Sequence, residues 1–434
     1  MDEHTPLKRE IGSKMLIVFV VGDILGAGIY VRVGGVAAEV GGAIWLSFLV
    51  AMFIAAFTAL SYAELTSKYP GSGGAALFVN KAYGQPFITF MVAFAVVSSG
   101  IASAGTVARA FAGRYLQEFI SVPSLPVALL FLGVIALVNL RGISESIKVN
   151  LALTVVEVLG LLLIVGIGIV ALADGSGDPG RAFTIKEGVT VPLAILSGAS
   201  VAFYALIGFE DVVNVAEETK DPVRMMPVAI LAGLGIATVL YLAVSFTAAM
   251  VVNPQTLGAS SGALLEVVEA GPIPVPPRLY SLIALLAITN TALINMIMAS
   301  RLTYAMAQQG IVPAILGKTH RERQTPWMAI VCTTLLAVGL VATGDLGSLA
   351  DTTVMLLLVV FAIVNVTVLV LRRDMPGHAH FSVPTVVPVI GALTCLVLLT
   401  QQDADIYLRG GALLLVGLAL WMVNWFVHRR LNPI

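Results

Sequence analysis

Long apolar segments separated by short polar connections recur along the whole chain. We count about twelve of them, and an α-helix of about 20 apolar residues is long enough to cross the ~30 Å hydrocarbon core of a bilayer. The pattern therefore predicts an all-α membrane protein with about twelve transmembrane helices. The predicted spans are residues 13–38, 41–66, 83–115, 125–140, 146–173, 190–216, 227–252, 277–308, 326–342, 348–371, 384–401 and 407–428.

The composition agrees with this pattern. Hydrophobic residues make up 58% of the chain, charged residues make up 11%, and the mean hydropathy is +0.98, which is far too apolar for a water-soluble domain. The first residues, MDEHTPLKRE, are polar, and no small-residue cleavage site follows the first apolar segment, so we expect no removable signal peptide. The polar connections are too short to hold a soluble domain. Any functional site is therefore expected in or beside the bilayer.

The distribution of basic residues predicts the orientation in the membrane. With twelve spans and a cytoplasmic N-terminus, all but seven of the 24 Lys and Arg residues fall on the cytoplasmic side, in agreement with the positive-inside rule. We therefore expect a multi-pass protein of the cytoplasmic membrane, surrounded by lipid, with both termini in the cytoplasm. The net charge of −1 and the lack of a dense basic run argue against nucleic acid as a partner. The seven remaining basic residues are Arg32, Arg109, Arg114, Arg181, Lys186, Arg278 and Arg409.

Two of the predicted spans are interrupted at corresponding positions. Span 1 contains Asp23 and then the sequence GAG, although a glycine weakens a helix by roughly 1 kcal/mol and a mid-membrane charge costs at least about 2.5 kcal/mol. Span 6 is interrupted by Gly208 and then by Glu210 and Asp211. Interrupted helices at matching places in two halves are typical of inverted-repeat transporters, which bind their substrate between these helices. Glycines that serve close helix packing are the alternative.

The offset of five spans predicts a five-plus-five inverted repeat with discontinuous helices 1 and 6. Two further helices follow the second repeat. The predicted units are a cytoplasmic N-terminal segment (1–12), a first repeat of helices 1–5 (13–173), a second repeat of helices 6–10 (190–371), helices 11–12 (384–428) and a cytoplasmic C-terminus (429–434).

An unwound stretch in span 1 leaves backbone groups without helical partners. The N–H groups of Ala27, Gly28 and Ile29 lie at the positive end of the outer half-helix, where they suit a carboxylate. Carbonyl groups at the end of the inner half-helix suit an α-ammonium group, and span 6 can add further carbonyls. These groups together can bind both ends of an amino acid backbone, which glycine allows to approach closely. The predicted substrate-binding residues are Gly22, Asp23, Gly26, Ala27, Gly28, Ile29, Phe203, Tyr204, Ala205 and Gly208.

Four sequence motifs resemble those of one transporter superfamily. The segment GDILGAGIYVRVGG resembles the first helix of the amino acid-polyamine-organocation superfamily, and AELTSKYPGSGGAALFVNKAYG is similar to its first cytoplasmic loop. The segment FYALIGFEDVVNVAEETKDPVRMMP resembles its sixth helix and the loop after it, and ASRLTYAMAQQGIVP resembles the end of its eighth helix. The resemblance implies an amino acid permease with a five-plus-five inverted repeat, which transports amino acids or related amines by alternating access.

The resemblance also implies roles for individual residues. It places Ala27, Gly28 and Ile29 at the carboxylate-binding break of helix 1. Tyr204 falls at the position of an aromatic side chain that closes over the substrate, with a packing role as the alternative. Glu210 matches an acidic position just after the break of helix 6.

Span 5 departs from the pattern of several proton-coupled relatives. Their equivalent position resembles a lysine between helices 1, 5 and 8, whereas this chain has Glu157, so lysine-type coupling cannot be transferred. A carboxyl group buried in a bilayer is expensive unless it is paired or neutral. We therefore interpret Glu157 as a proton carrier, with a structural hydrogen-bonding role as the alternative. Asp23 is a second intramembrane acid, and the two acids are expected to share a proton, bind a cation or contact a cationic substrate.

Span 8 offers neutral polar groups to the same region of the bundle. It contains Thr289, Asn290, Thr291 and Asn295, which can also serve as simple hydrogen bonds between packed helices. The predicted coupling and gating residues are Glu157, Asp23, Tyr204, Glu210 and Asn290.

These features predict a secondary active transporter of amino acids that is driven by protons. An amine or polyamine carrier or exchanger and a sodium-coupled amino acid transporter are the alternatives. The sequence has neither the repeated pore motif of a channel nor the appended domain of a sensor, and it lacks the nucleophile–base set or nucleotide loop of an enzyme. We expect no cofactor and no metal site. Span 3 is predicted to line the pocket with an uncharged set that favours neutral substrates: Phe94, Ser98, Ser99 and Ala102.

Overall fold

The computed structural model describes residues 11–71, 73–141, 147–309, 311–320, 323 and 325–431. Residues 1–10 of the predicted N-terminal segment and residues 432–434 of the predicted C-terminus lie outside these ranges. Regular structure in the described ranges is helical apart from two isolated β-bridges.

The α-helices follow one another with short connections, some of which contain 3₁₀ turns. They are α1 (Ser13–Leu25), α2 (Gly28–Val40), α3 (Ile44–Lys68), α4 (Gly74–Tyr83), α5 (Pro86–Phe111), α6 (Arg114–Gln117), α7 (Ser124–Leu140), α8 (Ile147–Asp174), α9 (Val191–Phe203), α10 (Pro222–Val251), α11 (Pro254–Ala259), α12 (Ala263–Ala270), α13 (Pro277–Gln308), α14 (Trp327–Thr343), α15 (Leu346–Val370), α16 (Val386–Leu399) and α17 (Ala404–Leu431). The 3₁₀ helices are Pro179–Phe183, Tyr204–Leu206, Asp211–Glu218, Ala314–Gly317 and Leu371–Arg373.

Each predicted span coincides with a helical segment. Within the described residues, eight helical segments are long and apolar enough to cross a membrane, and α1 together with α2 makes a ninth, bent one. The other three predicted spans are the shorter apolar helices α7, α14 and α16, of 17, 17 and 14 residues. Because such helices rise only about 21 to 26 Å at 1.5 Å per residue, the total of twelve crossings stays a prediction.

Span 1 is interrupted where its glycines predict a break. The first half, α1, ends at Leu25, the second half, α2, begins at Gly28, and the two axes differ by 40°. Gly26 has φ −31° and ψ −157°, which lie outside the helical region and end the hydrogen-bond ladder of α1. The span therefore carries helix ends, with their unpaired backbone groups, in its middle.

Span 6 is interrupted by a longer irregular stretch. After α9, a 3₁₀ turn covers Tyr204–Leu206, and Ile207 is extended with ψ 147°. Gly208 then adopts φ +125°, a region that residues with a Cβ rarely enter. The rest of the span, Asp211–Glu218, is a 3₁₀ helix. Both interruptions that the sequence predicts are therefore present.

Helices that lie five spans apart pack against each other. In span 1, α2 contacts α9 of span 6, and the pairs α3 with α10, α5 with α13 and α7 with α14 are also in contact. The long helix α5 packs along α15 as well, so it lies near the centre of the bundle. This packing is consistent with two related halves, whose inverted relation stays a prediction.

Large apolar side chains cover the outer surface of the bundle. Phe53, Leu130, Val239 and Leu408 are 61% to 76% exposed, and each lies on a different helix. A soluble protein rarely exposes so much apolar surface, whereas hydrocarbon covers it without cost. Together with the long apolar helices, this surface identifies the chain as a multi-pass membrane protein.

Candidate functional site

The two interrupted spans meet at their breaks. A Cβ added to Gly208 would lie 2.9 Å from the carbonyl oxygen of Asp23, and one added to Gly28 would lie 2.7 Å from the Cα of Ala205. Real Cβ atoms essentially never come within 3.0 Å of another residue's heavy atoms. Glycine at these two positions therefore lets the unwound backbones of spans 1 and 6 touch.

A cavity of ≈ 50 Å³, here called the break cavity, lies where the spans meet. Its walls come from both broken spans and from α5 and α13. Eight of the ten predicted substrate-binding residues line it, namely Gly22, Asp23, Gly26, Ala27, Gly28, Tyr204, Ala205 and Gly208. The other lining residues are Ile24, Ser103, Ile207, Asp211, Asn290, Thr291, Ile294 and Asn295.

Ile29 and Phe203 are the two predicted residues that do not line the break cavity. Both are fully buried, and the ring of Phe203 packs against Phe361 of α15 with the ring centroids 6.2 Å apart. Their side chains therefore belong to the apolar core, while the sequence-based prediction concerned their backbone groups.

One end of the break cavity carries backbone N–H groups. The N–H of Ala27 donates to Oγ1 of Thr291 at 3.0 Å, so it is already paired, in contrast to the sequence-based expectation, because α13 supplies an acceptor. Gly28 and Ile29 are the first two residues of α2, and N–H groups at these positions have no intrahelical acceptor. The positive pole of α2 lies at the same place. An anion here would meet N–H groups and the Thr291 hydroxyl.

The other end carries the carbonyl groups of the last turn of α1. Gly22, Asp23 and Ile24 line this end of the cavity, and the carbonyl of Ile24 accepts a hydrogen bond from the Tyr241 hydroxyl at 2.6 Å. The negative pole of α1 and the Asp23 carboxylate make this end suitable for a cation. The break cavity therefore has chemically opposite ends.

Tyr204 forms part of the cavity wall and is held by two neighbours. Its hydroxyl lies 2.9 Å from Oγ of Ser103, which accepts a hydrogen bond from Nδ2 of Asn295 at 2.9 Å. The side chain is only 5% exposed. This chain of polar groups joins span 6 to α5 and α13, so it fixes the ring beside the break.

Glu157 lies behind the break cavity and is not part of its wall. Its side chain is fully buried, and Oε1 accepts a hydrogen bond from Nδ2 of Asn290, which lines the cavity, at 3.4 Å. In the described part of the chain, Oε2 of Glu157 has no hydrogen-bond partner. The Tyr30 hydroxyl donates to the backbone carbonyl of Glu157 at 2.7 Å, which ties α8 to α2. A single amide side chain therefore joins the buried carboxyl group to the cavity.

Glu210 supports the break of span 6 directly. Its Oε2 accepts a hydrogen bond from the N–H of Gly208 at 2.8 Å, and the residue is 8% exposed. The carboxylate thus pairs a backbone donor that the interrupted helix leaves without a helical acceptor.

A larger cavity of ≈ 520 Å³, here called the vestibule, adjoins the break cavity. The two cavities share Ser103, Ile207, Asp211 and Asn295. The vestibule reaches from these residues to α4 and to the C-terminal end of α13, and its volume falls within the range of about 300 to 1,000 Å³ that small-molecule sites usually have. Of the residues of span 3 that were predicted to line the pocket, Ser99 lines the vestibule, whereas Phe94, Ser98 and Ala102 line neither cavity.

Away from the vestibule, the helices α11 and α12 pack on α2. A Cβ on Gly34 of α2 would lie 2.7 Å from the carbonyl oxygens of both Leu257 and Ser260, so this connection sits tightly on α2. An ion pair joins α2 to α15 on the same side, with Nη2 of Arg32 2.5 Å from Oδ1 of Asp351. The break cavity therefore adjoins the vestibule, while α2 is tied to α11, α12 and α15 beyond the break.

Some lining residues were not predicted as parts of the site. Ser103 lies one turn after Ser99 on the same face of α5, and this spacing was a signal that could have found it. Asp211 directly follows Glu210, so the sequence placed it at the break but not in the wall of a cavity. Ile207 and Ile294 resemble any other apolar residue of a membrane span, and the sequence offers no signal for them.

Comparison with known proteins identifies the family. The amino acid permease family model matches residues 11–405. The methylthioribose transporter of Bacillus subtilis is 29% identical over 452 residues, covering 98% of this chain and 95% of that protein, and the branched-chain amino acid permease BcaP of the same organism is 29% identical over 454 residues with the same coverage. The vacuolar cationic amino acid transporter 4 of Arabidopsis thaliana is 28% identical over 397 residues, covering 87% of this chain and 65% of that protein. The chain belongs to the amino acid permease family, within the amino acid-polyamine-organocation superfamily.

Proposed function

We propose that the protein is a secondary active transporter that carries amino acids across the cytoplasmic membrane by alternating access and is driven by protons. The main support is the contact between two broken helices around a cavity that has N–H groups at one end and carbonyl groups at the other. These two ends match the carboxylate and the ammonium group of an amino acid, and broken helices with this arrangement are a feature of inverted-repeat transporters.

In this proposal the substrate backbone lies across the break of span 1. Its carboxylate binds the N–H groups of Gly28 and Ile29, and the Thr291 hydroxyl exchanges its bond from Ala27 for one to the substrate. The ammonium group binds the carbonyl groups at the end of α1, next to the Asp23 carboxylate. Each end then meets the pole of a helix dipole of opposite sign.

Alternating access requires a second state in which the other side of the break is open. The described state has its vestibule beside α4 and the end of α13, where Lys81 and Arg301 lie. By the positive-inside rule this side is cytoplasmic. We infer that the described state faces the cytoplasm and that an outward-facing state requires α11 and α12 to move away from α2 and the pair Arg32–Asp351 to separate.

Proton coupling is assigned to Glu157. A buried carboxyl group crosses between the two states at low cost when it is neutral, and its hydrogen bond to Asn290 makes it sensitive to the contents of the cavity. Asn290 would pass the effect of substrate binding to Glu157 by turning its amide toward or away from the carboxyl group. A sodium ion held by the same acids is the alternative that the experiment below distinguishes.

Uptake by the purified protein in proteoliposomes tests the proposal. We expect at least one amino acid from a panel of neutral, cationic and anionic ones to accumulate when the outside is made acidic, and to raise the melting temperature of the protein in detergent. Amines without a carboxylate, and the methylthioribose named for one relative, serve as comparison compounds. Binding of these compounds but of no amino acid would contradict the proposal. If accumulation needs sodium at constant pH, the coupling ion is sodium and not the proton.

Replacing Tyr204 tests whether its ring retains the substrate. We expect Tyr204→Ala to weaken substrate binding about tenfold, because the aromatic face that excludes water is lost, and Tyr204→Phe to weaken it only a few-fold, because one hydrogen bond to Ser103 is lost. Equilibrium binding of labelled substrate measures both variants. Tyr407→Ala, at an exposed position, is the control. If both variants of Tyr204 bind substrate as the unaltered protein does, the residue serves packing alone.

A further inference from the structure

The break cavity has room for the backbone of an amino acid but not for a long side chain. Its volume is ≈ 50 Å³, and since a water molecule takes up about 30 Å³ in the liquid, the cavity holds only a few waters. The vestibule next to it measures ≈ 520 Å³. A substrate side chain that starts in the break cavity therefore has to extend past the residues that the two cavities share.

Asp211 is the charged member of the four residues at this junction, beside Ser103, Ile207 and Asn295. Its N–H donates to the carbonyl of Gly208 at 3.1 Å. A hydrogen bond between residues three apart keeps their Cα atoms within about 7 Å. Gly208 in turn touches the carbonyl of Asp23, where the substrate ammonium group is placed. Asp211 therefore lies near the α-ammonium position, at the junction through which a long side chain extends into the vestibule.

The charges around the junction are mainly negative. Among the described residues that line the two cavities, the charged ones are Asp23, Glu210, Asp211 and Arg301. The Glu210 carboxylate accepts the hydrogen bond from Gly208, and Arg301 is exposed on α13, six residues after Asn295. In these surroundings of low dielectric constant, a cationic group on the substrate side chain is attracted by the Asp211 carboxylate. A neutral side chain does not gain this interaction.

We propose that Asp211 binds the cationic group of the substrate side chain, so that the transporter prefers amino acids that end in an ammonium or guanidinium group. The inference rests on the proposed function, and it replaces the expectation of a neutral substrate that followed from span 3 alone. Asp211 acts as a specificity-determining residue, and the α-carboxylate and α-ammonium groups still bind at the break.

Lysine and norleucine form a matched pair of test ligands, because norleucine is lysine without its terminal ammonium group. We expect the unaltered protein in proteoliposomes to bind lysine about tenfold or more tightly than norleucine, as one charge-assisted hydrogen bond provides. Asp211→Asn is expected to remove this preference, because the affinity for lysine falls more than the affinity for norleucine, and Asp211→Glu is expected to keep the preference. Asp221→Asn, at an exposed position with φ 50° that Asn tolerates, is the control.

Two outcomes overturn the inference while amino acid transport itself stands: norleucine binds as tightly as lysine, or Asp211→Asn keeps the preference for lysine. Competition by cadaverine, which is lysine without its carboxylate, as strong as that by lysine would instead contradict the binding of the α-carboxylate at the break. If the protein binds no amino acid at all, this result contradicts the proposed function instead. Melting temperatures of the Asp211 variants show whether a lost preference reflects the site or the fold.

Discussion

Glu157→Gln is expected to abolish the accumulation of substrate in response to a pH gradient, while exchange of substrate across the membrane continues. Glutamine keeps the shape of the side chain and can still accept the hydrogen bond from Asn290, but it fixes the neutral state. In the proposed mechanism, the variant can therefore move between the two states without carrying a proton. Substrate is expected to cross in both directions and to stop at equal concentrations on the two sides.

The expected effect is large because the driving force is large. One proton that falls through ~100 mV and about one pH unit releases about 3.7 kcal/mol, which supports roughly 500-fold accumulation. Reconstituted protein, loaded with labelled or unlabelled substrate and exposed to an imposed gradient, gives accumulation and exchange in parallel. We expect the accumulation ratio of Glu157→Gln to fall from that range to about one for a neutral substrate, and to the ratio that the membrane potential alone supports for a cationic substrate.

Two further variants show what a change at Glu157 means. Asp23→Asn is expected to weaken substrate binding directly, because Asp23 lines the break cavity and Glu157 does not. Glu187→Gln, at an exposed position, controls for the loss of a carboxylate elsewhere. Accumulation by Glu157→Gln equal to that of the unaltered protein, with the same pH response, would show that Glu157 is not the coupling group. If Glu157→Gln loses exchange as well as accumulation, Glu157 has a role in substrate binding or in the stability of the fold.

Gly208→Ala is expected to reduce transport about tenfold or more and to lower the melting temperature. The residue has φ +125°, a conformation that costs other residues roughly 1 to 3 kcal/mol. Its added Cβ would also lie 2.9 Å from the carbonyl oxygen of Asp23 and 3.0 Å from the carbonyl carbon. Since both contacts are with backbone, spans 1 and 6 must separate, and the two ends of the break cavity lose their spacing.

Gly235→Ala is the matched control for this substitution. Gly235 lies within α10, and an added Cβ there would meet nothing within 4 Å, so we expect normal transport and a slight gain of stability from the better helix former. Thermal unfolding in detergent and uptake in proteoliposomes measure both variants. Unchanged uptake and melting temperature in Gly208→Ala would show that transport does not require the contact between the breaks.

The sequence predicted the helices well because membrane helices depend on local properties. Apolar length alone placed twelve segments, each of which coincides with helical structure. The breaks were also local features, since the GAG sequence of span 1 and Gly208 of span 6 weaken the helix in which they lie. Glu210 accepts a hydrogen bond from a backbone group two residues before it, so even this contact lies within one motif.

The contacts between spans could not be predicted in the same way. Ala27 donates to Thr291, 264 residues further along the chain, and Asn290 donates to Glu157 across 133 residues. Such pairs depend on how each helix is rotated about its axis and where it crosses its neighbours. The span 8 polar residues were therefore recognised as candidates, while their partners were not. Span 3 shows the same limit, because one of its four predicted lining residues lies in the vestibule.

The sequence by itself determined the class of protein, the positions of its helices, the two breaks and the family, because apolar length, glycine and short motifs act over a few residues. The tertiary structure decided which helices pack on α2, that Glu157 is bonded to Asn290 without lining the break cavity, and that Asp211 lies at the junction of two cavities. These features arise from the packing of helices that are distant in the chain. Packing of this kind depends on the shape and rotation of every helix together, and no short stretch of sequence records it.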